Sequence, residues 1–291
     1  MTTTQKLQDS PLLPVTWWGV LIRIVVGSVA MFAANMARVP FHDWAQRRWP
    51  DGDAQLLSTA LIFLITPLII VGGVLAWMRW VERTSISITG LTRYRTMLPG
   101  FVGGLALAGL AIILGWIVLA ALDQGQAEPP MLDGNDMTQV STGMLLVFVV
   151  VRAVLLQGLP EELIYRGWFF QLTRNRPWLT LVWTTLAFTI IHLTSSGGQQ
   201  NPMDHLFYLV MPLGMGVLGG AVVLWRGSVW WAVGTHGGLH IWLAVASAAY
   251  PLTLGREAWM VLGCTQILVA VVILTLWHRG RVQRDSHSTE F

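Results

Sequence analysis

Charge is scarce in this chain. Only 11% of its 291 residues are Asp, Glu, Lys or Arg, against about a quarter in a soluble domain, which excludes an ordinary water-soluble globule. Cysteine is nearly absent. The single Cys264 lies in an apolar run, so there is neither a disulfide framework nor a cysteine metal motif. The chain also lacks an internal repeat, a low-complexity tract and a polar stretch fit to be a separate soluble domain. What it has is hydrophobicity: 54% of residues are apolar, Trp and Gly are abundant, and apolar runs long enough to cross a hydrocarbon core recur along its length.

Those runs predict an all-α polytopic membrane protein of about eight transmembrane helices, near 15–37, 55–80, 98–122, 141–159, 178–193, 203–224, 228–249 and 257–278. Residues 1–291 read as a single integral membrane domain with a motif-bearing core at about 141–249. The first run is longer than the apolar region of a signal peptide and carries Arg23, so it reads as a retained anchor. The fourth is interrupted by Gly158 and Pro160. Proline lacks an N–H and suits a first helical turn, so a restarted or kinked helix is expected here. Glu161 and Glu162 would then lie beside a free helix N-terminus, whose dipole favours ionised carboxylates.

Orientation follows from the basic residues. With the N-terminus inside, the inner segments hold Lys6, Arg79, Arg83, Arg93, Arg95, Arg174, Arg176, Arg226, Arg279, Arg281 and Arg284. The outer side holds Arg38, Arg47, Arg48 and Arg256, and its longest loop, 123–139, carries Asp123, Glu128, Asp133 and Asp136 without a basic residue. This bias predicts cytoplasmic N- and C-termini in the cell membrane, with the bilayer as partner. The basic balance therefore reports orientation and is no argument for a nucleic-acid partner. The connection 82–95 reads as a solvated loop along the inner surface.

A charge at membrane depth costs a few kcal/mol, roughly, so an ionisable residue inside a span calls for a partner or a task. Those residues are Arg23, Arg152, Glu161, Glu162, Arg166, His192, His236 and His240. Six of them form three short patterns. In Glu161-Glu162-x-x-x-Arg166, Glu162 and Arg166 share a helix face and can pair, while Glu161 is turned away as an available base. The bland alternative is an ion-pair cluster that fixes helix register. Phe188-x-x-x-His192 ends the fifth run, and His236-Gly237-Gly238-Leu239-His240 places two imidazoles on one face of the seventh. A carboxylate base, a cationic orienter and three imidazoles on three helices suit hydrolysis: one group to activate water, others to hold a developing oxyanion. Arg23 and Arg152 are unassigned. Nine residues separate Arg152 from Glu161, too far along one helix for direct pairing.

The ordered motifs resemble those of the CAAX-processing and bacteriocin-processing (CPBP, or Abi) intramembrane proteases, the type II CAAX prenyl endopeptidase-like group. The run Glu-Glu-Leu-Ile-Tyr-Arg-Gly is similar to the family's first motif, which usually has Phe where Tyr165 stands. Ser228-Val229-Trp230 resembles the lead-in to the last. The resemblance implies that Glu161 and His192 activate water, that Glu162 and Arg166 orient the base, and that His236 with the residue four later stabilises the oxyanion. In the family that later residue is commonly Asn; here it is His240. An amide donates without titrating, whereas a histidine donates from both nitrogens only when protonated.

The family has been described both as metal-dependent and as metal-free. Glu161, His192, His236 and His240 are a ligand set that zinc accepts. The expectation leans to glutamate-activated water, with a divalent metal optional. The implied substrate is a membrane-associated peptide or protein, prenylated or bacteriocin-like. Two other readings use the same residues: a proton-coupled transporter, since membrane glutamates and histidines also build proton relays, and a catalytically silent immunity or scaffold protein of the same fold.

Overall fold

The structure, a computed structural model, describes residues 10–122 and 140–288, with side chains described as far as 283. Lys6, the acidic loop 123–139 and the Arg284 side chain, on which part of the orientation argument rests, lie outside the described residues. The protein is all-α and membrane-spanning, with no strand among the described residues.

Thr16 starts α1 (Trp17–Ala37), its hydroxyl accepting the Gly19 N–H at 3.3 Å. A short α2 (Val39–Arg48) follows. Next come α3 (Gly52–Phe63) and α4 (Ile65–Trp80), which together make one span. A 3₁₀ turn (Ile86–Thr89) leads to α5 (Tyr94–Ala121). The long α6 runs Thr142–Leu172. Then come α7 (Pro177–Ile191), with a 3₁₀ extension (His192–Thr194), and α8 (Pro202–Tyr208). The chain closes with α9 (Val210–Arg226), α10 (Val229–Ala249) and α11 (Arg256–Ser288).

Against the expected eight, seven stretches among the described residues are long and apolar enough to cross a membrane. The one that drops out is α10. Its 21 residues reach about 31 Å, enough to span, so it falls short in apolarity and not in length. The physical reason is its position. Val229 and 232–239 are buried by neighbouring helices, and a helix enclosed by protein needs no apolar circumference.

The seam between α5 and α10 shows how closely α10 is held. A Cβ at Gly104 would overlap the Trp231 carbonyl, and one at Gly234 would overlap the Phe101 carbonyl. Small residues on both helices thus bring the two backbones into contact, the usual solution where lipid supplies no hydrophobic drive. With Gly234 and Gly238 against α5, the 3.6-residue period turns His236 to the opposite side, towards α6.

Arg23 finds a partner that sequence spacing could not show. Its Nε and Nη2 each donate to Glu82, at 2.7 Å, and its other donors reach the Gly19, Pro14 and Leu13 carbonyls. Trp77 and Trp168 add indole N–H bonds to Glu82 Oε1 at 2.7 and 3.0 Å. The start of the 82–95 connection is therefore buried structure, which corrects the expectation of a solvated loop at Glu82 and at Thr89. Burial alone would push the Glu82 carboxyl up; the Arg23 guanidinium and the two indoles outweigh it and hold the carboxyl below its ordinary value. A carboxyl lowered in the folded state contributes stability above the unfolded pKa, about 4.3, and loses it as pH falls through the folded value. Thermal unfolding in detergent is expected to show a loss of stability setting in below about pH 4.3, and a smaller loss in Glu82→Gln.

Candidate active site

The site begins with an irregularity in α6. The helix widens to π geometry over Val151–Gly158 and again over Leu163–Trp168, with an α turn, Leu159–Glu162, between them. The Leu159 and Phe169 amides accordingly donate to carbonyls five residues back, Val154 and Ile164. Pro160, which lacks an N–H and would crowd the carbonyl four residues back, is absorbed by this widening. So α6 does not restart at Pro160, and Glu161 and Glu162 sit mid-helix, not at a free N-terminus. That expectation is corrected. Two π turns around the glutamates are a feature of functional sites more than of plain packing.

Glu162 points inward and is fully buried. Its Oε1 accepts from Arg166 Nη1 at 3.2 Å and lies 2.9 Å from His236 Nδ1. Arg166, also fully buried, donates from Nη2 to the Gly216 carbonyl at 2.9 Å. Its guanidinium lies over the Phe188 ring, 4.3 Å from the centroid. Room for this pair comes from α9. A Cβ at Gly219 would sit 3.3 Å from Glu162 Oε2, and one at Gly216 would sit 3.2 Å from Arg166 Nη2. The i,i+4 pairing expected from the motif is present, and it carries a histidine from another helix as a third member.

Glu161 faces away from this network, a fifth of its side chain exposed, with Oε2 3.9 Å from His192 Nε2. His192 Nδ1 lies 2.7 Å from the Phe188 carbonyl. A carbonyl only accepts, so Nδ1 carries the proton, and Nε2 of the neutral ring is the lone-pair nitrogen turned to Glu161. Phe188 is the packing centre: its ring meets Tyr165, His192 and His236 at 5.2, 4.6 and 6.0 Å between centroids. Glu161, Tyr165 and His192 open on a cavity of about 400 Å³ whose far wall is α1.

Five of the six predicted site residues thus fall into two sets. Glu162, Arg166 and His236 are in direct contact, and Glu161 and His192 face each other across a short gap. His240 stands apart. Its ring lies 5.4 Å from that of His236, and it makes no hydrogen bond among the described residues. Arg152 makes no ion pair among the described residues; it lies within electrostatic range of His240. Sequence reasoning missed the α9 glycines and the α1 wall. No motif marks them, and only the packing does.

Among the described residues, no three His, Cys, Asp or Glu side chains converge as metal ligands. The four candidates Glu161, His192, His236 and His240 are split in space: Glu161 faces His192 at 3.9 Å, and the rings of His236 and His240 are 5.4 Å apart. As arranged, they do not fit a zinc ion, which needs ligand atoms at about 2.0–2.2 Å.

A helical membrane bundle with a buried Glu–Arg–His network, and a second Glu–His pair facing a cavity, defines a membrane protein furnished for acid–base chemistry. Residues 143–242 match the family model described as Rce1-like, type II CAAX prenyl endopeptidase Rce1-like. That stretch, about a third of the chain, contains all six candidate site residues, and over it the chain is similar to that family. No match was found among curated proteins or among solved structures.

Proposed function

We propose that the protein is an intramembrane endopeptidase that hydrolyses a peptide bond of a membrane-associated substrate with water activated by Glu161 and His192. The observation that carries this is their mutual geometry. At 3.9 Å the carboxylate and the imidazole nitrogen are too far apart for a direct hydrogen bond, and close enough for one water to donate to both. With its hydrogens so held, the water presents a lone pair to the cavity.

The water oxygen attacks the carbonyl carbon, and its proton passes to Glu161. The carbonyl π electrons move to oxygen, giving a tetrahedral oxyanion. As the C–N bond breaks, Glu161 returns the proton to the leaving amine. Glu162 orients His236 through Nδ1 as an acidic residue orients its histidine in a catalytic triad; with Nδ1 so held, the ring donates from Nε2 only as imidazolium. The family resemblance gives His236 and His240, one turn on, the developing negative charge. Arg166 fixes Glu162. No step runs through a metal. The termini are cytoplasmic on this reading, and the membrane is that of the cell.

Newly formed protein termini, compared by mass spectrometry in membranes carrying the wild type or Glu161→Ala at equal levels, test the proposal. Termini present only with the wild type, and still formed after exhaustive chelation, support it. Identical termini in both would overturn it, and chelator-reversible loss would overturn the metal-free step.

A further inference from the structure

Half of the cavity wall comes from α1, a helix outside the stretch that matches the family model. The helix meets α6 at Gly27, where a Cβ would lie 3.0 Å from Phe169 Cζ and 3.1 Å from Ile164 Cγ2. One residue later Ser28 shares a hydrogen bond with the Tyr165 hydroxyl of α6, and the cleft opens from there. Ser28, Val29, Phe32 and Asn35 line the opening that faces Glu161 and His192. Val29 and Phe32 are well exposed, so the cleft reaches the lateral surface of the bundle.

The wall is held at both ends. Arg23 is locked to Glu82, and Asn35 Oδ1 accepts from the Thr66 hydroxyl of α4 at 3.4 Å. One Asn35 amide hydrogen goes to the Met31 carbonyl, 3.0 Å away, leaving the second to donate. Ser28 and Asn35 are two helical turns apart on one face, about 10.5 Å along the axis, which is the length of about three residues of extended chain. Hydrolysis needs an unwound segment, and at membrane depth the polar groups of an unwound backbone require partners.

On the strength of the peptidase reading above, we propose that α1 positions the substrate: Ser28 and Asn35 hydrogen-bond the backbone of an extended peptide, and Val29 and Phe32 seat an apolar side chain beside the bond that is cut. The substrate class is an unwound apolar peptide laid along α1.

Two arms test this with the full-length protein in nanodiscs and a library of short synthetic peptides with apolar centres. In the kinetic arm, Asn35→Leu raises KM about three- to tenfold, the worth of one hydrogen bond, with kcat held and the melting temperature slightly lowered by loss of the Thr66 contact. Phe32→Ala shifts the cleavage preference towards bulkier side chains. Unchanged KM and preference would overturn the proposal, as would loss of kcat in step with a lower melting temperature, which marks α1 as fold support only. In the binding arm, Phe32→p-benzoylphenylalanine in a Glu161→Gln background crosslinks the peptides on irradiation. Crosslinking without any wild-type cleavage keeps the α1 site and sinks the peptidase; cleavage without crosslinking does the reverse.

Discussion

Glu161→Gln is expected to lower kcat by roughly 10²- to 10⁴-fold, the contribution of a positioned general base, while leaving KM and the melting temperature near those of the wild type. The amide keeps the shape of the side chain but cannot take the proton from water. Stability should hold because Glu161 is partly exposed, lines the cavity and stands outside the buried network. Steady-state cleavage of a quenched peptide and a thermal melt on the same preparation check both halves. A variant with full kcat would remove Glu161 from the mechanism and leave His192 to be tested alone.

Arg166→Leu is expected to cost about 3–5 kcal/mol of stability, the usual loss when one partner of a buried ion pair is removed. The Glu162 carboxylate would be left fully buried with only His236 beside it. The Gly216 carbonyl would also lose its donor, and Phe188 its cation. Replacing both charges, as Glu162→Gln with Arg166→Leu, should recover part of the stability, since no uncompensated charge remains. It should not recover activity, because Glu162→Gln replaces the carboxylate that holds His236 Nδ1. Chemical denaturation with parallel activity assays distinguishes this from the bland alternative. If the pair only fixed helix register, the double variant would regain activity along with stability.

Much of the site was legible because its logic is local. Glu162 and Arg166 lie one turn apart on one helix, and their pairing is an i,i+4 consequence that needs no tertiary information. The commitment of His192 Nδ1 to the Phe188 carbonyl is equally local. Arg23 was illegible for the opposite reason: its partner lies 59 residues away, at the start of what reads as a loop. The restart at Pro160 was misjudged because proline rules assume α geometry, and α6 accommodates it by widening. The seventh apolar run was counted as a span, whereas α10 is less apolar than the other seven stretches and is buried over 232–239, where protein and not lipid surrounds it.

By itself, then, the sequence determined the class of molecule and the inventory of its chemistry. Scarce charge and recurrent apolar runs leave helical membrane spans as the physical solution, and intramembrane ionisable residues mark the site. Only the tertiary structure decided which groups meet. It joined His236 to Glu162 across helices, set Glu161 a short gap from His192, and supplied α1 as the facing wall. Those choices rest on the close approach of backbones at Gly104 and Gly234 and on the Phe169 and Ile164 side chains packed at Gly27, and such contacts between distant segments leave no period or spacing along the chain for a reader to find.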